Sequence, residues 1–254
     1  MSKLLNANFH ELFKSKYFYL TMLICALLGA FLTTGMYLYP HFNMPEQSDI
    51  VITEDNILGL VPSFATIVIP FAAAATVAVL LDSQYNQGII RNMITYGHTR
   101  TEIFFSDLIT MSAATVIYFV CYQLTVFSAA VFAFDFDGYK LNAALVSLSV
   151  MLVMLICIST VLSLILGNFI RGGKITVVIL AVQYALNMSI ILGMFKNDNK
   201  ALEVAASVFP QSSLFDFSYS VIPDGIGKKL IISLTLIAVF SAAGAIHFNK
   251  CDIK

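Results

Sequence analysis

Tryptophan is absent from this 254-residue chain, and charge is scarce: Asp, Glu, Lys and Arg together make 11% of it. Soluble domains carry about 25% charged residues, so this composition does not supply an ordinary water-covered surface. The net charge of −1 gives no basic field for nucleic acid. The four cysteines, Cys25, Cys121, Cys157 and Cys251, form no C-x-x-C pair. That argues against a cysteine zinc site and a disulfide framework, and leaves them as small apolar packing residues. His10–Glu11 begins an H-E-x-x-H pattern, but Lys14 stands where the second His is required. No Gly is followed two residues later by Ser, so a nucleophile turn is missing. The run GNFIRGGK at 167–174 has phosphate-loop residues at the wrong spacing, with no Ser or Thr after the Lys. It reads instead as a tight turn at Arg171, Gly172, Gly173 and Lys174. The histidines, His10, His41, His98 and His247, fall at span ends or in loops. The chain is therefore expected to hold no catalytic residue, no metal and no cofactor of its own.

What is present is apolar length. Hydrophobic residues make 59% of the chain, and the mean hydropathy is +0.85. A helix needs about 20 apolar residues to cross the hydrocarbon layer. Six segments meet that length without an acidic or basic residue in the interior: 17–39, 58–81, 108–134, 141–169, 175–195 and 230–248. The expected fold is an all-α integral membrane domain with six transmembrane helices, covering the chain as one unit. Residues precede the first segment, its run is longer than a signal-peptide core, and no cleavage-like site follows, so it reads as a retained span. Tyr17, Tyr19, Tyr37 and Tyr39 suit its two interfaces.

Placing the N-terminus inside puts Lys3, Lys14, Lys16, Arg91, Arg100, Arg171, Lys174, Lys250 and Lys254 on the cytoplasmic side. Lys140, Lys196, Lys200, Lys228 and Lys229 then lie outside. Nine against five favours N-terminus and C-terminus in the cytoplasm. Before the first span, Leu5, Phe9, Leu12 and Phe13 recur at helical spacing within residues 1–16. This predicts an N-terminal amphipathic helix lying in the interface. Before the last span, residues 202–221 are too interrupted by Pro210 and Ser212–Ser213 to cross, yet too aromatic for a solvated loop. They read as an external re-entrant hairpin, buried in protein or lining a cavity, with Phe209 and Phe217 as candidate pathway residues. The interior polar set is neutral: Thr33, Thr34, Ser63, Thr66, Gln123, Ser128, Ser159, Thr160, Ser163, Gln183 and Asn187. Most are expected to join helices by hydrogen bonds. Gln183 and Asn187, four apart on one face, are the candidates for lining a polar path. No intramembrane charge marks an ion or proton route.

The loop 82–107 carries the most specific signal, DSQYNQGIIRNMITYGHTRTEIFFSD. Gly97 can adopt positive φ and close a short helix, and Thr99 to Glu102 forms a capping box that opens the third span. A short helix is predicted over 87–96, with Ile89, Ile90 and Met93 as its apolar side. Gly88, Ile90, Arg91, Asn92, Gly97, Arg100, Thr101 and Ser106 follow a pattern common in one family. The segment resembles the coupling loop of the ABC-2 permeases of ATP-binding-cassette exporters, especially the small six-span permeases of Gram-positive bacteria. Ile89 and Asp107 depart from that pattern, where Thr and Lys are usual, and Asp82 replaces a more common Glu.

The resemblance implies a permease subunit in the bacterial plasma membrane, not an enzyme by itself. It would work as a homodimer with two copies of a separate ATPase chain that binds ATP and Mg2+. Gly88, Arg91, Asn92, Gly97, Arg100 and Glu102 would form the coupling contact with that ATPase. The first, second and fifth spans would line the path. The cargo would be an amphipathic peptide, a toxin or a lipid-like molecule, and membrane lipid the surroundings. The layout is equally similar to permeases that export phenol-soluble modulins and to lantibiotic or bacitracin resistance permeases. A non-transporting membrane sensor or scaffold is the alternative from another class; it would bring down no stoichiometric ATPase.

Overall fold

The computed structural model describes residues 1–38, 64–133, 141–170, 222 and 224–250. Their regular structure is entirely helical. The first helix, α1 (Ser2–Lys14), is short and amphipathic: Leu4, Asn8 and Leu12 are buried while Lys3, His10 and Lys14 face outward. It ends at Ser15, which is extended and turns the chain into α2 (Lys16–Leu38). Then come α3 (Ala65–Asn86), the short α4 (Ile89–Thr95) and the long α5 (Arg100–Ala133). The next transmembrane run is α6 (Leu141–Leu155), a π-helical turn (Ile156–Val161) and α7 (Leu162–Ile170). The last helix is α8 (Ile226–Lys250).

Five helical stretches among the described residues are long and apolar enough to cross a membrane. They overlap the expected spans at 17–39, 58–81, 108–134, 141–169 and 230–248, and make the chain a multi-pass helical membrane protein. The expected fifth span (175–195), the hairpin (202–221), and Gln183, Asn187, Phe209 and Phe217 lie outside the described residues.

The helix α5 is the hub. It packs against α1, α2, α3, α8 and the π turn. Its 34 residues reach about 51 Å at 1.5 Å per residue, against roughly 30 Å of hydrocarbon. Residues 100–107 hold its Arg100, Glu102 and Asp107, so the excess length sits at this polar end. Tyr118, Tyr122, Phe104, Met111, Met151, Met154 and Phe248 are the large, fully buried side chains of the core. By contrast, α2 turns Leu20, Leu23, Ile24, Leu27 and Phe31 outward, and α8 turns out Ile231, Leu234, Val239 and Ile246. A soluble protein cannot leave so continuous an apolar surface in water; hydrocarbon accepts it.

Polar contacts inside the bundle divide into two kinds. Thr76 and Tyr118 join α3 to α5 at 2.7 Å, and Thr115 and Thr160 join α5 to the π turn at 2.7 Å. Thr33, Thr34, Ser159 and Ser163 instead bond carbonyls of their own helix. The expectation of helix-joining bonds thus holds for Thr160, while these other four satisfy themselves locally, as hydroxyl residues can in any helix. Two glycines permit close approach. A Cβ on Gly29 would meet Thr125 Oγ1 at 2.8 Å, and one on Gly244 would meet the Phe104 ring at 2.7 Å.

Candidate functional site

The short helix α4 sits between two glycines in the left-handed region, Gly88 at φ 66° and Gly97 at φ 89°. Gly88 ends α3 and starts α4 with almost no intervening chain. At the other end, His98 N–H donates to Met93 O at 3.1 Å and Gly97 N–H to Ile94 O at 3.0 Å. This paired arrangement is the Schellman stop, in which the residue after the helix takes positive φ and Gly does so without a Cβ clash. Two residues later the capping box forms as the spacing predicts. Thr99 N–H donates to Glu102 Oε2 at 3.0 Å, and Glu102 N–H donates to Thr99 Oγ1 at 3.3 Å. The helix is shorter at both ends than the predicted 87–96, because Gly88 takes the left-handed conformation and moves the start past it.

Ile90 is buried, and Met93 and Ile94 pack on the core. The opposite side shows Arg91 and Asn92, and Tyr96 is 85% exposed. Arg91 makes no hydrogen bond or ion pair among the described residues. Arg100 and Glu102, expected in the same contact, are engaged within the chain. Arg100 Nη1 donates to the carbonyl of Asn249 in the last turn of α8 at 3.1 Å. Glu102 serves the cap, and lies 3.7 Å from the terminal ammonium of Met1 and 3.9 Å from His98 Nδ1. Residues expected on one surface therefore split into an outward-facing set, Arg91 and Asn92, and a bracing set, Gly88, Gly97, Arg100 and Glu102.

The brace continues inward through three successive residues at the end of α3. Successive helical residues point about 100° apart, so three in a row can reach three neighbours. Ser83 donates to Glu11 of α1 at 3.4 Å, Gln84 to Asp107 Oδ1 of α5 at 2.9 Å, and Tyr85 to Asn168 Oδ1 of α7 at 2.9 Å. Asn8 of α1 donates to the same Asp107 Oδ1 at 2.8 Å and to Ser106 Oγ at 3.0 Å. Asp107, Asn8, Gln84 and Ser106 are all buried, and Asp107 has no cationic partner among the described residues. Asn8 Oδ1 and Gln84 Oε1 meet no donor among the described residues. A buried carboxylate held by two amides is costly to assemble and specific in geometry.

Sequence reasoning missed this junction. Asp107 registered only as a departure from a motif, and Asn8 did not register at all. One signal was available: Asn8 falls four residues after Leu4 and four before Leu12, on the buried stripe of α1. A polar residue on an apolar stripe calls for a buried partner.

Among the described residues no group of three His, Cys, Asp or Glu gathers to hold a metal. Neither the family models nor the curated proteins compared with this chain give a match.

Proposed function

We propose that this chain is the membrane-spanning permease subunit of an ABC-type exporter, driven by ATP hydrolysed on a separate chain. The observation that carries this reading is α4. It is a seven-residue helix, set by Gly88 and Gly97, exposing an Arg91 without a polar partner among the described residues, and braced through Ser83, Gln84 and Tyr85 to three other helices. A helix placed to receive force from a partner needs a fixed orientation and a stiff connection to the spans. Here displacement of α4 would pass through the end of α3 to α1, α5 and α7 together. The resemblance of residues 82–107 to the ABC-2 coupling loop supports the same reading and supplies the partner: two ATPase subunits on a permease homodimer, with α4 on the cytoplasmic side. The neutral, Phe- and Met-rich chain suits an amphipathic peptide or lipid-like cargo, moved outward across a bacterial plasma membrane.

Arg91 separates this reading from a passive scaffold. Its guanidinium can make bidentate contacts with a partner carboxylate or carbonyl, which Lys cannot reproduce. With the chain co-expressed with a candidate ABC ATPase, Arg91→Ala is expected to lower recovered ATPase, or uncouple hydrolysis from export, while membrane insertion stays normal. Arg91→Lys should keep insertion and fail to restore coupling. A chain that co-purifies with no ATPase, or an Arg91→Ala variant that exports at the parent rate, overturns the proposal.

A further inference from the structure

At the elbow where α1 turns into α2 lies an open cleft of about 640 Å³, facing the last turns of α3. That volume falls within the roughly 300–1,000 Å³ of small-molecule sites. Phe18, Val79 and Leu80 give it an apolar wall, and Glu11, Lys14 and Asp82 a charged rim. The rim carries both signs, yet none of these three forms an ion pair among the described residues. Among the described residues the Glu11 carboxylate accepts from the Ser83 hydroxyl, at 3.4 Å. Opposite charges that share a cleft without meeting leave room for a ligand that carries both signs itself. The position agrees with this: Lys14 and Tyr17 flank the joint where polar α1 gives way to apolar α2, the level of a membrane interface. The wall also continues outward, since Val79 and Tyr17 are exposed on the lipid-facing side.

We propose that this cleft binds one phospholipid with a zwitterionic, primary-ammonium headgroup. Its ammonium would lie between Glu11 and Asp82, its phosphate on Lys14, and the start of one acyl chain along Phe18, Val79 and Leu80. Two carboxylates against one ammonium disfavour an anionic headgroup. Lys14 disfavours a purely cationic amphiphile. A fully methylated ammonium has no N–H to donate to the carboxylates, so it should bind less well. The lipid would wedge between α1 and the end of α3, next to the Ser83 contact and just before Gly88. This site stands on its own geometry and needs no ATPase partner.

The test is native mass spectrometry of the purified chain in detergent, with phosphatidylethanolamine, phosphatidylcholine and phosphatidylglycerol of identical acyl chains added at equal concentration. One phosphatidylethanolamine should be retained over either competitor by about fivefold, the size expected of about one net hydrogen bond from the ammonium. The paired variant Glu11→Gln with Asp82→Asn should reduce its retention to that of phosphatidylcholine. Lys14→Gln should weaken retention of both zwitterionic lipids. Asp82→Asn alone, a change at a half-exposed residue, guards against misfolding of the pair, and Lys228→Gln, at the start of α8 and away from the cleft, should change nothing. Equal retention of the three lipids, preference for phosphatidylglycerol, or a preference that survives the paired variant would each overturn the proposal.

Discussion

Replacing Asn8 with Leu tests whether the buried junction holds α1 to the bundle. The parent amide donates to Asp107 Oδ1 at 2.8 Å and to Ser106 Oγ at 3.0 Å. A hydrogen bond to a carboxylate contributes about 1.5–3 kcal/mol and one to a hydroxyl about 0.5–1.5 kcal/mol, while Gln84 still donates to Asp107 Oδ1. Asn8 Oδ1 has no donor, so removing the amide also removes one unsatisfied atom and offsets about 1 kcal/mol. The net expected loss is about 2 kcal/mol, roughly 4–8 °C in unfolding midpoint for a chain of this size. A thiol-reactive dye reads the transition, because Cys25 and Cys157 are each 1% exposed and become reactive only on unfolding. The triple replacement Asn8→Leu, Gln84→Leu and Asp107→Leu should return the midpoint to near the parent value. Exchanging a whole buried polar cluster for apolar side chains is often neutral, whereas breaking it at one member is not. An Asn8→Leu midpoint equal to the parent's would refute the reasoning. So would a triple variant less stable than the single one, since the cost would then lie in packing and not in a broken polar cluster.

Two further substitutions test the geometry around α4 and α5 in the same thermal assay. Gly88→Ala should cost about 1–2 kcal/mol from left-handed strain alone, because a Cβ there meets nothing within 4 Å; Gly88→Asn should cost less, and equal losses would argue against a strain origin. Gly244→Ala should cost about 1–3 kcal/mol by overpacking against Phe104 and Ile165, and adding Phe104→Leu should recover part of it; an unchanged midpoint for Gly244→Ala would mean that α8 shifts freely at this contact.

Apolar length by itself determined the class of this protein. A run of twenty residues without charge has one stable environment, and five of the six expected spans have helical counterparts at the expected places. Local chemistry also determined the turns. Gly97 and the Thr99–Glu102 pair act within six residues of chain, so their geometry was legible from spacing. The helical character of residues 2–14 was legible too, but not the face that packs: Leu4, Asn8 and Leu12 are buried, whereas of the expected Leu5, Phe9, Leu12 and Phe13 only Leu12 is, and Phe13 is exposed. Tertiary structure decided what spacing cannot encode. Asn8 and Asp107 lie 99 positions apart, and no periodicity links them; only the packing of α1 on α5 brings the amide to the carboxylate. Arg91 and Arg100 looked alike as cations beside glycines in one loop. Packing separated them, because α8 ends beside Arg100 and offers it a carbonyl, while Arg91 makes no hydrogen bond or ion pair among the described residues. The charged cleft at the elbow has the same origin: Glu11, Lys14 and Asp82 belong to two helices that meet only once the bundle has formed.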